Sequence, residues 1–345
     1  MTTIFESEIR EQPDILARLV EDGRGEAESI GETVRAYRPR FVLIAARGSS
    51  DNAARYAQYL FGIRNGLTVA LAAPSIVTHY GARPSLGGAL VLGISQSGQS
   101  PDVVAVVEDA RSQGALTVSL TNDPDSPLAR AAERHLQLRA GRERAVAASK
   151  TYTTELTALA LLSAAAAGGD ALEELRALPA QVAETIARNG NLGPAARRFA
   201  PFSRFVVVGR GLSLATVFET ALKIKETAYV TAEPYSSADF LHGPVAMLDA
   251  DLPLLLVAVG PRMEEDLEAL AERARGAGAP LVVLSDREDL RERADAALAV
   301  PAGVPEWLSP IASIAAGQLW ALALAEARGL DPDAPRGLSK VTLTR

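Results

Sequence analysis

A series of short apolar runs recurs in this chain at a fixed distance of 164 residues. Phe41-Val42-Leu43-Ile44 is matched by Phe205-Val206-Val207-Val208, Leu90-Val91-Leu92 by Leu254-Leu255-Leu256, and the run from Leu116 to Thr121 by that from Pro280 to Ser285. Three runs in step, with no net insertion between them, identify a duplicated unit. Each run is continuous rather than alternating, and helix-like stretches lie between the runs. Each therefore reads as a strand buried on both faces of a parallel sheet. The fold class that follows is α/β, each copy a parallel-sheet, three-layer α/β/α sandwich of Rossmann type. We expect a helical segment at residues 1–28, a first domain over 29–170, a helical linker at 171–196, a second domain over 197–331 and a tail at 332–345.

Two such units suit a chain of 345 residues at roughly 150 residues per domain. A net charge of -7 argues against a general nucleic-acid binder, which needs a basic field. Cysteine is absent, which excludes disulfides, thiol catalysis and cysteine metal sites, and three histidines are too few for a rich metal cluster. The start of the chain carries acids where a signal peptide needs an apolar run. The longest apolar stretch, read as Leu156 to Gly169, falls short of the about 20 residues of a membrane span. A soluble, cytoplasmic protein is expected.

Of the 35 basic side chains only four are lysine, namely Lys150, Lys223, Lys225 and Lys340. Wherever a generic positive charge suffices this sequence uses arginine, so a retained lysine draws notice. An amine can lose its proton and attack a carbonyl, whereas a guanidinium cannot.

The two copies differ where a strand gives way to a helix. Copy one reads Ser95-Gln96-Ser97-Gly98-Gln99-Ser100, followed by Pro101 and Asp102. Small hydroxyl residues, a glycine and a proline in the first helical turn make an anion cradle, because backbone N–H groups, hydroxyls and the helix dipole converge there. Copy two has Gly260-Pro261-Arg262-Met263-Glu264-Glu265-Asp266, whose acids repel a phosphate. Serine and glycine also serve as an N-cap and turn. The hydroxyl spacing and the contrast between copies favour phosphate binding at Ser95, Gln96, Ser97, Gly98 and Ser100. Gly48-Ser49-Ser50, after the first strand, is the same kind of place and supplies further donors. Two rival motifs fail: Gly209-Arg210-Gly211-Leu212-Ser213-Leu214 lacks the third glycine of a dinucleotide fingerprint, and Gly93-Ile94-Ser95-Gln96-Ser97 lacks the second glycine of a nucleophile elbow.

On a helix Glu219, Lys223 and Glu226 stand at i, i+4 and i+7 and share a face. Such a set often forms a solvated ladder. Here the shortage of lysine and the apolar neighbours Phe218, Leu222 and Ile224 favour a site, in which a carboxylate near an amine can move a proton. His242, in Phe240-Leu241-His242-Gly243-Pro244, lies in a turn where a ring nitrogen can face a ligand. His79 and His135 have no such context and read as structural. Lys340 sits in a tail that would ordinarily fray, but Pro332 and Pro335 stiffen its approach, and Leu338 and Val341 can anchor it. An amine kept in a dry pocket has a lowered pKa and attacks carbonyls; Lys223 is the next amine in line.

Ser95-Gln96-Ser97-Gly98-x-Ser100 resembles the phosphosugar-binding signature of sugar isomerase (SIS) domains. Glu8-Ile9-x-Glu11-Gln12-Pro13, Ala147-x-Ser149-Lys150, Glu219-x3-Lys223-x2-Glu226, His242-Gly243-Pro244 and the ending Pro335-Arg336-x-Leu338-x-Lys340 are similar to the isomerase half of glucosamine-6-phosphate synthase. The synthase's glutaminase domain, with its N-terminal cysteine, has no counterpart here, and the chain also resembles stand-alone double-SIS deaminases. The resemblance implies two tandem SIS domains, a sugar-phosphate substrate and no cofactor or metal. It further implies Glu226 as the base, assisted by Glu219 and Lys223, and a Schiff base formed by Lys340. His242 would open the sugar ring and reach the neighbouring subunit of a homodimer. Ala147, Ala148, Ser149 and Lys150 would line the sugar, although Lys150 also reads as a helix-start residue. Ala148 departs from the synthase, which has serine there, and this puts the exact sugar in question. The expected activity is aldose–ketose isomerisation of an amino-sugar phosphate: glucosamine 6-phosphate to fructose 6-phosphate plus ammonia. Amination in the reverse direction, action on another sugar phosphate and a non-catalytic sugar-phosphate sensor are the alternatives. Neither nucleic acid nor membrane is an expected partner.

Overall fold

The apolar runs form strands because β-branched and leucine side chains can be buried on both faces of a sheet covered by helices. A computed structural model describes residues 2–168, 171–262 and 264–340. Five strands come from the first copy: β1 (Phe41–Ala45), β2 (Val69–Leu71), β3 (Ala89–Ile94), β4 (Leu116–Thr121) and β5 (Arg134–Gln137). All pair in parallel in the order β2-β1-β3-β4-β5. The second copy supplies β6 (Arg204–Gly209), β7 (Thr231–Ser236), β8 (Leu254–Ala258), β9 (Leu281–Ser285) and β10 (Ala296–Ala299), again all parallel, in the order β7-β6-β8-β9-β10. Every residue of β3, β4, β8 and β9 is buried.

The sequence repeat persists into the hydrogen-bond register. Val42 lies opposite Leu90, and Val206, 164 residues on, lies opposite Leu254. The third strand departs from the expected step. Leu90 faces Leu116, whereas Leu254 faces Leu281, so β9 begins one residue after Pro280 and the copies differ there by one inserted residue.

The chain divides into two units. The first-copy unit comprises Asp14–Glu143, Lys150–Arg176 and Ser339–Arg345; the second-copy unit comprises Met1–Pro13, Arg144–Ser149 and Ala177–Leu338. In the second, the stretch Glu306–Ala327 is long and apolar enough to cross a membrane, yet its most apolar 18-residue window is buried as a core helix. It, and not the stretch from Leu156, is the more apolar helix. Gly169 lies outside the described residues. Trp320 on this helix meets Phe199 edge-on with ring centroids 5.5 Å apart.

In each sheet the chain winds from its first strand to one side and then crosses to the other. The strands flanking that reversal are β1 with β3, and β6 with β8. In open parallel sheets ligands bind beyond the carboxyl ends of such strands. The segments leaving β1 and β3 are Arg47–Ser50 and Ser95–Ser100.

Candidate active site

In the first-copy unit the Ser95–Ser100 turn leads into the helix Pro101–Ser112, with Ser100 as its N-cap residue. Gly98 adopts φ +61°, and a Cβ there would stand 2.2 Å from the Ser126 hydroxyl, so the close turn requires glycine. The Ser95 and Ser97 hydroxyls accept the N–H groups of Gly98 (3.2 Å) and Gln99 (3.3 Å), giving the turn its shape. Ser100 makes no side-chain capping bond, and its hydroxyl is not used in closing the helix. Asp102, in the first helical turn, is buried and accepts a 2.7 Å bond from Arg47 Nε. Its charge is thereby matched rather than turned on an incoming phosphate, and the half-exposed guanidinium ties the β1 loop to the β3 loop. Gly48 takes φ +57° at the start of the helix Ser49–Asn65. The Ser50 hydroxyl turns inward, donating to Glu155 at 2.7 Å. Burial raises the pKa of Asp51 even though Arg55 and Arg47 pull it down.

Lys340 belongs to the same unit, with its side chain one-quarter exposed and its ammonium 2.5 Å from the Glu143 carboxylate. This differs from the dry pocket expected for it. Glu143 is buried and also accepts the Thr151 N–H (3.0 Å) and hydroxyl (2.6 Å) at the start of the helix Lys150–Ala167. Lys150 is buried as the first residue of that helix. Of the four lysines, Lys225 is exposed and Lys340 partly so, while Lys150 and Lys223 are buried. Val341 lies outside the described residues, as does Met263 in copy two.

In the second-copy unit the helix Leu214–Lys223 continues into a π-helical turn, Ile224–Ala228. Such wide turns recur at functional sites. Lys223 Nζ lies 3.2 Å from Glu219 Oε1 and 2.6 Å from Glu226 Oε2. Lys223 and Glu219 have no side-chain exposure and Glu226 has 23%, so this is no solvated ladder. Burial depresses the lysine pKa, but the attraction of Glu219 and Glu226 and their hydrogen bonds outweigh it, leaving the net value above the ordinary one. Lys223 is thus held as an ammonium against Glu219 and Glu226. His242 ends the helix Ser237–Leu241 and is exposed.

The loop that carries Ala147, Ala148 and Ser149 is fixed within the same unit. Buried Glu8 accepts the N–H groups of Arg144 (2.6 Å) and Ala145 (3.1 Å). Gln12 donates to Gln318 at 2.6 Å, and Gln318 donates to the Ser149 carbonyl at 3.3 Å. Ala147 and Ser149 are buried, and Ala148 is half-buried.

The model of the SIS domain matches residues 37–165 and 199–326. The chain belongs to the SIS-domain family. As a double-SIS protein it is 33% identical over 351 residues to the glutamine–fructose-6-phosphate aminotransferase (isomerizing) of Gloeobacter violaceus, covering 96% of this chain and 57% of that relative. The enzyme of the same name from Thermococcus kodakarensis is also 33% identical, with 96% and 56% covered. The chain thus spans little more than half the length of these relatives. Among solved structures, one described as a candidate phosphosugar isomerase from Silicibacter pomeroyi has a TM-score of 0.88 at 37% identity, covering 96% of this chain and all of that one. The C-terminal domain of glucosamine-fructose-6-phosphate aminotransferase from Francisella tularensis has a TM-score of 0.87 at 24% identity, with 96% and 98% covered, and shares the fold.

Sequence reasoning missed Arg47, Glu143 and the part Glu8 plays. Arg47 directly precedes Gly48-Ser49-Ser50, which was the available sign. Glu143 is one acid among arginines, and nothing local distinguishes it. His135 bonds through Nδ1 to the Ser119 hydroxyl (3.0 Å), in a place with no tie to the cradle.

Proposed function

We propose that this chain is a phosphosugar isomerase that acts on an amino-sugar phosphate and converts glucosamine 6-phosphate to fructose 6-phosphate and ammonia. The observation that carries this reading is the buried Glu219–Lys223–Glu226 set, which holds one carboxylate in a fixed orientation with partial access to solvent. The cradle at Ser95–Ser100 takes the phosphate through N–H groups, hydroxyls and the helix N-terminus. His242 promotes ring opening, from the site of its own or a neighbouring subunit. In the open chain, with an aldehyde at C1 and an amine at C2, Glu226 takes the C2 proton and returns it to C1, while a nitrogen proton passes to O1. The product is an imine at C2 beside a C1 hydroxyl. Lys340 passes its ammonium proton to Glu143 and adds to C2; ammonia leaves, and water hydrolyses the resulting lysine imine to fructose 6-phosphate.

Purified protein incubated with glucosamine 6-phosphate should release ammonia, and borohydride added during turnover should trap the sugar on Lys340. Lys340→Arg keeps the charge and should abolish both, leaving phosphate binding intact. Glu226→Gln should allow trapping from fructose 6-phosphate yet block proton transfer. No ammonia above blank refutes the reading. The kinship with the aminotransferases favours a second direction, tested by supplying fructose 6-phosphate with ammonium.

A further inference from the structure

We propose that Tyr229 is a positioning residue that clasps the C-terminal tail and sets the path of the chain into Lys340; this rests on the reading of Lys340 as the imine-forming amine. The π-helical turn that carries Glu226 ends at Tyr229, whose φ of +52° is unusual for a bulky residue and is held only by its surroundings. Its hydroxyl accepts the backbone N–H of Arg336 at 2.7 Å. The Arg336 guanidinium lies over the same ring, 4.1 Å from its centroid. One aromatic ring thereby engages both the main chain and the side chain of a single tail residue.

The tail has a second polar fixing point. The Asp333 carboxylate accepts the N–H groups of Ile4 (2.7 Å) and Phe5 (2.8 Å), at the start of the helix Ile4–Arg10, whose Phe5 and Ile9 are fully buried. Leu338, expected from the sequence to anchor the tail, is 46% exposed. Polar contacts at Asp333 and Arg336 do that work instead. Lys340 is four steps along the chain from Arg336, at most about 14 Å when extended, so a tail loosened at Arg336 is free to carry the amine off its seat. The π-helical turn Ile224–Ala228 thus ends on the residue that holds the tail ahead of Lys340.

Tyr229→Phe removes the acceptor and keeps the ring; Arg336→Met keeps the N–H and removes the cation; Tyr229→Ala removes both contacts. Tail mobility is read by hydrogen exchange of the peptide spanning Asp333 to Lys340, which needs no substrate. Tyr229→Phe should speed this exchange by about tenfold, as fits the loss of one hydrogen bond. With glucosamine 6-phosphate, kcat and the rate of borohydride trapping should fall together while KM and the melting temperature stay put. Arg336→Met should give a smaller change of the same kind. Unaltered tail exchange in Tyr229→Ala overturns the clasp, and so does a loosened tail with full kcat. An inactive wild-type protein would instead remove the reading of Lys340, while tail exchange would still decide whether the clasp holds.

Discussion

Replacing Lys223 by methionine keeps most of the side-chain volume and removes the charge. Glu219 and Lys223 have no exposure and stand 3.2 Å apart, for which Coulomb's law at an effective dielectric of about 20 gives roughly 5 kcal/mol. The variant can avoid losing all of it by protonating Glu219. At pH 7, protonating a carboxylate of ordinary pKa, about 4.3, costs about 1.36 kcal/mol for each pH unit above that value, close to 4 kcal/mol in all. Protonation is the cheaper route and sets the ceiling, so Lys223→Met should lose about 3–4 kcal/mol at pH 7. The pH dependence follows from the same step. In the variant the folded-state pKa of Glu219 is raised, so folding takes up a proton above the unfolded value, and stability rises as pH falls. The deficit should shrink to roughly 1–2 kcal/mol at pH 5.5. Urea unfolding of variant and wild type at the two pH values measures both figures. The double variant Glu219→Gln/Lys223→Met should recover most of the loss at either pH. A deficit below about 1 kcal/mol at pH 7, or one that does not change with pH, would falsify the buried-triad account.

Gly98→Ala forces a side chain into φ +61° and against Ser126; it should cost at least about 2 kcal/mol and weaken fructose 6-phosphate binding in calorimetric titration. Unchanged affinity would mean that the turn does not hold the phosphate. Glu8→Gln leaves one of the two N–H groups it holds without an acceptor and should destabilise the fold by about 1–3 kcal/mol. It should also raise KM more than it lowers kcat, because the loop it holds lines the proposed sugar position. His135 is kept below the ordinary histidine pKa chiefly by burial, against the pull of Glu26. The unfolded chain therefore binds the extra proton, and stability should decline as pH falls through about 6.5. His135→Gln should flatten that slope in thermal melts; an unchanged slope assigns it to other groups.

The strands and the cradle were legible because they are local. Continuous apolar runs mean burial on both faces wherever they occur, and the 164-residue repeat carried the pairing of Val42 with Leu90 to that of Val206 with Leu254. Gly98 could be singled out because only glycine takes a left-handed turn without strain. Scarcity singled out four lysines, of which the structure buries two and pairs a third with a buried acid.

Other features had no local sign. One inserted residue before β9 is invisible in a pattern of similar apolar letters. A helix that widens to a π turn at Ile224–Ala228 keeps the composition of an ordinary helix, so the spacing predicted a shared face but not the complete burial of Lys223 and Glu219. Ser50 reads as a donor to phosphate until Glu155, 105 residues away, is seen to take its hydroxyl. Glu8 and Arg144 are 136 residues apart, and Lys340 and Glu143 are 197 apart. By itself, the sequence determined three central strands of each copy, the Ser95–Ser100 turn between strand and helix and the scarcity of lysine, since backbone sterics and burial act through neighbours along the chain. Only the tertiary structure decided which acid meets which amine, because an ion pair or a buried N–H is satisfied by whatever group the fold brings within about 3 Å, however distant along the chain.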